Sequence, residues 1–136
     1  MLSHVLLSMR WILILSVILT TSVLLASTSV AVESSSRSRE AVMAVVHQHG
    51  QGIRRCYEQG LTGRMPPGTH GRLVYRVTID ERGRVQNVRA AARESDRAMI
   101  RIDWLVDCIA QQIRRLDFGP GEATTVSIPL TFQPAG

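Results

Sequence analysis

Between residues 42 and 61 a helical stripe recurs every three or four positions: Val42, Val45, Val46, His49, Ile53, Cys56, Tyr57 and Gly60. That spacing predicts one amphipathic helix, with Arg54, Arg55, Glu58 and Gln59 on its wet side. Gly50 and Gly52 lie inside it, each costing about 1 kcal/mol relative to Ala, but the stripe runs through both and the helix is predicted unbroken. Met65-Pro66-Pro67-Gly68 cannot continue it. From Gly71 the period becomes two: Leu73, Tyr75, Val77 and Ile79 alternate with Arg72, Val74, Arg76, Thr78 and Asp80, a half-buried strand. Asp80-Glu81-Arg82-Gly83-Arg84 reads as a turn, with Gly83 free to take a positive φ. A second strand is predicted over Val85 to Ala92, with Val88, Ala90 and Ala92 inward. Val85 is out of phase with them, which marks either a bulge or a turn residue.

Ser95 or Asp96 then offers an N-cap for a second helix, whose stripe is Ile102, Leu105, Ile109, Ile113 and Leu116, with Cys108 on its flank. Phe118-Gly119-Pro120-Gly121 stops it. Thr124 to Phe132 alternates again, with Val126, Ile128, Leu130 and Phe132 on one face, and Pro129, which removes a ladder donor, favours an edge strand or the outward side of one. The order α-β-β-α-β predicts an α+β, two-layer domain: an antiparallel three-stranded sheet packed against two helices. Its expected core includes Val45, Val46, His49, Ile53, Tyr57, Tyr75, Val77, Ile79, Leu105, Ile109, Ile113 and Phe118.

Ahead of this domain, Trp11 to Ala26 carries no charge, follows Arg10 and precedes the small-residue sequence Ser29-Val30-Ala31. Residues 1–31 therefore read as a signal peptide or an uncleaved membrane anchor, and either form carries the remainder of the chain across the membrane. Residues 32–39 read as a short Ser/Arg linker and 40–136 as the folded domain. Export changes the reading of the two cysteines, because an oxidising compartment lets Cys56 and Cys108 pair. The competing reading, a redox-active thiol, lacks a C-x-x-C motif.

All sixteen basic residues are arginine. They are interleaved with acids along the chain rather than gathered into a stripe, so nucleic acid is not expected as a partner. His47 and His49 are two apart and fall on different sides of a helix, His70 lies in a loop, and no H-E-x-x-H, G-x-S-x-G or phosphate loop occurs. No catalytic residue, metal or cofactor is therefore assigned. Asp80 with Glu81 could be paired carboxylates, but a hairpin tip excludes no water and the pair reads as a solvated turn.

Taken together, Val45-Val46-His47-Gln48-His49, Ile53, Cys56-Tyr57-Glu58, Leu61, Gly71, Ile79 to Val85, Val106-Asp107-Cys108-Ile109, Arg114-Arg115, Phe118, Val126, Pro129, Phe132 and Pro134 resemble the AgmX/PglI C-terminal domain. That family is itself similar to the TonB C-terminal domain. The resemblance covers residues 41–135 and implies an open sheet edge that captures an extended segment of another protein. On that basis Val126, Ile128, Leu130 and Phe132 are candidate partner-binding residues. The partner would be an envelope protein or a second copy of the chain, and the membrane itself only if the N-terminal segment is retained. The expected location is the periplasm or cell envelope, with inner-membrane anchoring in the uncleaved case. Energy transduction does not carry over, since His4 lies outside the apolar run and the linker is short. Two other classes stay open: a membrane-tethered scaffold that binds nothing at its edge, and a small periplasmic enzyme.

Overall fold

A computed structural model describes residues 37–134. The expectations for residues 1–31 lie outside the described residues, as does most of the linker. The elements are α1 (Arg39–His49), α2 (Gln51–Leu61), β1 (Gly71–Ile79), β2 (Val85–Ala90), α3 (Arg97–Ile100), α4 (Asp103–Arg114) and β3 (Thr124–Phe132). The sheet order is β2-β1-β3, antiparallel throughout. The fold is α+β in two layers, as the alternation of periods predicts. No helix among the described residues is long and apolar enough to cross a membrane.

Each predicted helix is divided in two. Ser38 caps α1 by accepting from the Ala41 N–H at 3.1 Å, which is ordinary N-cap chemistry. The helix ends at Gly50, where a Cβ would collide with the Val46 carbonyl oxygen. The break resets the helical phase. Val42 and Val46 are buried before it and Ile53, Cys56, Tyr57 and Gly60 after it, while Val45 is only half-buried. His49, expected in the core, is exposed at the end of α1. The stripe that held it there assumed one continuous helix.

Gly52 and Gly60 have a different role. On the antiparallel face of α4, Gln112, Cys108 and Trp104 stand four apart, opposite Gly52, Cys56 and Gly60, which are also four apart. A Cβ on Gly52 would run into the Gln112 amide, and one on Gly60 would come within 2.5 Å of the Trp104 ring. Both glycines therefore let the helices approach closely. The Cys56–Cys108 disulfide ties the middle of this seam, with the Cα atoms 5.9 Å apart. Arg64 sits over the Trp104 ring at 5.4 Å from the centroid, closing the seam at one end.

Beneath the helices, Leu73, Tyr75, Val77 and Ile79 of β1 are completely buried. They meet Val42, Val46, Ile53, Val88, Met99, Leu105, Ile109, Ile113 and Ile128 in one core, with Phe118 half-buried against it. Tyr75 donates its hydroxyl to the Val106 carbonyl at 2.9 Å, so its one polar group is satisfied inside the core. The β1–β2 register shifts at Ile79↔Val85, so of the two readings of Val85's phase the structure takes the bulge, with Val85 inside β2. Gly83 takes φ +85 and sits against the Gly119 backbone, where no Cβ would fit. β2 ends at Ala90, and Ala92, expected inward, is exposed.

Asp96 stands at the N-cap position of α3, as expected, but its side chain makes no cap bond there. The Ser95 hydroxyl accepts from the Val74 N–H at 2.9 Å and an Asp96 carboxylate oxygen from the Arg72 N–H at 2.8 Å, so both extend the ladder of β1 beyond the end of β2. Val74, assigned to the wet face by alternation, is only 1% exposed. It stands directly opposite Pro129, and the Ala91–Ser95 turn is hydrogen-bonded to its backbone. The linker also ends sooner than its composition implies. The Arg37 guanidinium donates to the carbonyls of Phe118, Gly119, Asp80 and Glu122 at 2.8 to 3.3 Å, pinning the chain entry to the β1–β2 turn and the loop before β3.

Candidate functional site

A sheet of three strands has two rims, and here they differ. β2 is six residues long and interrupted by the bulge. Beyond its leading end, Arg84 bridges to Asp117, and the Phe118 N–H donates to the Gly83 carbonyl at 3.0 Å. β3 is nine residues long and pairs in unbroken register with β1, from Gly71↔Phe132 to Ile79↔Thr124.

The direction of its backbone groups follows from two hydrogen bonds on β1. Val74 donates its N–H to Ser95 and accepts at its carbonyl from the Ala91 N–H at 2.7 Å, both on the β2 side. In an antiparallel ladder the two main-chain groups of a residue point the same way, so Val74↔Pro129 is a non-hydrogen-bonded pair. Pro129 therefore turns its donorless nitrogen outward, and its ring removes no bond from the β1–β3 ladder. By the same parity Thr125, Ser127 and Thr131 present their N–H and carbonyl groups to the rim, and Thr124, Val126, Ile128, Leu130 and Phe132 bond inward.

This corrects the partner-binding set drawn from side-chain alternation. Ile128 is completely buried and Phe132 is 8% exposed, its ring tilted against that of Tyr57 with the centroids 5.0 Å apart. Neither side chain is free for a partner. Val126 and Leu130 are half-buried. The residues that carry the open rim are Thr125, Ser127, Pro129 and Thr131.

An open groove of about 950 Å³ runs between the end of β3 and the α1–α2 corner, lined on the strand side by Pro129 to Gln133. The helices contribute Val46, Ile53, Tyr57 and Leu61 to its apolar part, and His47, Arg54 and Glu58 to its polar part. The Tyr57 hydroxyl donates to the Thr69 carbonyl, which holds this wall in place. On the opposite face of the sheet a smaller hollow of about 340 Å³ is bounded by Arg39, Arg72, Val74, Glu94, Ser127 and Pro129, together with Val126.

The chain matches no family model, no curated protein and no solved structure.

Among the described residues, no three His, Cys, Asp or Glu side chains are placed to hold one metal ion. His47 and His49 are exposed on α1, and His70 bonds the Gly68 carbonyl at 2.8 Å. Asp80 is wholly committed to its turn. It accepts from the N–H groups of Arg82 and Arg84 and from the Gln86 amide, and these bonds, that from Arg84 first, hold its carboxyl below the usual range. Burial, with the Asp107 carboxylate adding to it, pushes the Tyr75 phenol far above its ordinary value, leaving it a neutral donor at every physiological pH. Alternation in β3 revealed which side chains share a face. It did not reveal which backbone groups were spare, because that depends on which neighbouring strand β1 bonds from each residue.

Proposed function

We propose that this chain is an exported, non-catalytic interaction domain of the cell envelope that binds an extended segment of another polypeptide as a fourth strand on β3. The observation that carries this reading is the outer rim of β3, whose spare main-chain groups run beside a groove that would receive alternate side chains of an added strand. Strand addition gains affinity from main-chain bonds and specificity from such pockets. The β2 rim is a poorer acceptor, being shorter, bulged and paired at its leading end.

Membership of the AgmX/PglI C-terminal family, and kinship with the TonB C-terminal domain, belong to the same proposal. Support for them is the helix–strand–strand–helix–strand order with an open sheet, joined to the residue pattern from Val45 to Pro134. Export is supported by the disulfide, since such bonds persist in oxidising compartments. Pro129 is consistent with a guarded rim: it removes one outward donor where a nine-residue strand would otherwise template indiscriminate pairing.

Site-specific photo-crosslinking in the native envelope tests the proposal. A probe at Ser127 or Thr131 should capture a defined protein, while one at Arg89 on β2 should not. Equal capture from both rims, or none from β3, would retire strand addition and leave the tethered-scaffold reading.

A further inference from the structure

The alternation that governs β3 also governs anything paired to it. A strand added to the outer rim places the side chains opposite Thr125, Ser127, Pro129 and Thr131 on the open face of the sheet, and those opposite Val126, Ile128, Leu130 and Phe132 on the helix side. The two sides offer unlike surroundings. On the helix side lies the groove, where Val46, Ile53, Tyr57, Leu61, Leu130 and Phe132 form an apolar part beside the polar His47, Arg54 and Glu58.

On the open face lies the smaller hollow with Arg39 and Arg72 at its margin. Its one carboxylate, Glu94, is already paired with Arg76 at 2.9 Å, the one ion pair among the described residues. The Asp96 carboxylate, two residues further along, is turned to the Arg72 backbone N–H. Among the described residues neither Arg39 nor Arg72 forms an ion pair, and both border the hollow beside Ser127 and Pro129.

We propose, resting on the strand-addition reading, that the segment captured by β3 is an acidic–apolar alternating peptide. Its apolar residues enter the groove and its carboxylates face Arg39 and Arg72. A second copy of this chain is a poor fit by the same criterion. The open-face residues of its own β3 are Thr125, Ser127, Pro129 and Thr131, none of them acidic, and two-fold pairing would bring two arginine-bordered hollows together.

Three end-blocked heptapeptides of alternating sequence distinguish the possibilities: Asp/Val, Gln/Val and Lys/Val, titrated against the disulfide-bonded domain by calorimetry at low and high salt. The Asp/Val peptide should bind about three- to tenfold more tightly than Gln/Val at low salt, the range expected of two exposed ion pairs, and should lose that advantage as salt rises. Lys/Val should bind most weakly. In the double variant Arg39→Gln with Arg72→Gln the preference for Asp/Val should vanish while Gln/Val affinity is unchanged. Among the described residues neither guanidinium donates a hydrogen bond, so the variant should keep the parent's circular dichroism and melting profile. Equal binding of Asp/Val and Gln/Val, or a preference that survives the double variant, overturns the acidic partner and leaves strand addition standing. Binding of none of the three overturns both.

Discussion

The α2–α4 seam and the β3 rim are built on opposite principles. In the seam every position is answered: Gly52 by Gln112, Cys56 by Cys108, Gly60 by Trp104, with no room for an added methyl group at either glycine. Along the rim the main-chain groups of Thr125, Ser127 and Thr131 are turned away from β1, and the one residue among them that offers no donor is Pro129. The contrast separates a surface completed by the fold from one left for something else. A domain of about a hundred residues has a stability of only about 5–15 kcal/mol, so a long unsatisfied strand is tolerable where another region is covalently tied.

Breaking the seam should have the largest effect. Replacing Cys56 and Cys108 with Ser releases a loop spanning 52 residues, and loop-closure entropy predicts a loss of about 4 kcal/mol. Chemical denaturation with and without the disulfide measures it, and a loss under about 1 kcal/mol would mean the helices are held by packing alone. Gly60→Leu keeps the disulfide but drives a side chain into Trp104 and Met65. Overpacking of this kind typically costs about 1–3 kcal/mol. A neutral result would show that the two helices can slide apart. At the rim, by contrast, Pro129→Ala should change stability by no more than about 0.5 kcal/mol, the range of surface substitutions away from special features. It should nevertheless raise self-association in sedimentation experiments by restoring an outward donor. If it stabilised the monomer as a new ladder bond would, the assigned direction of the Pro129 nitrogen would be wrong.

The smallest effect concerns Asp80, which serves neither region and only shapes the hairpin tip. Its carboxyl is depressed below the ordinary value by the Arg84 N–H, the Gln86 amide and the Arg82 N–H. The stability this contributes is present above the unfolded-state value and is lost as pH falls through the folded one. Melting temperature measured on the acid side, below about pH 4, should therefore decline less steeply for Asp80→Asn than for the parent chain. Parallel declines would remove Asp80 from the acid response.

Patterning made the α+β class, the element order, the inner faces of β1 and β3 and the phase irregularity at Val85 legible, because each depends on neighbours within a few residues. The cysteine pair was legible once export was inferred. The phase of the first helix was not. Gly50 is compatible with a continued stripe in one dimension, and only the direction change there moved His49 into solvent. The rim was half-legible: Pro129 marked an edge strand, but assigning Val126, Ile128, Leu130 and Phe132 to a partner confused the side-chain face with the hydrogen-bonding direction.

The amino-acid sequence alone determined which segments alternate with period two or near 3.6, where glycine and proline interrupt them, and which two sulfurs were available to join. Tertiary structure alone decided that Gly52 and Gly60 serve close helix approach, that the Ser95 and Asp96 side chains bond to β1 rather than to the helix they precede, and that the Pro129 nitrogen faces outward. The physical reason is one of range: periodicity is a property of consecutive residues, whereas the direction of a main-chain bond and the space for a Cβ are set by whatever lies across from them.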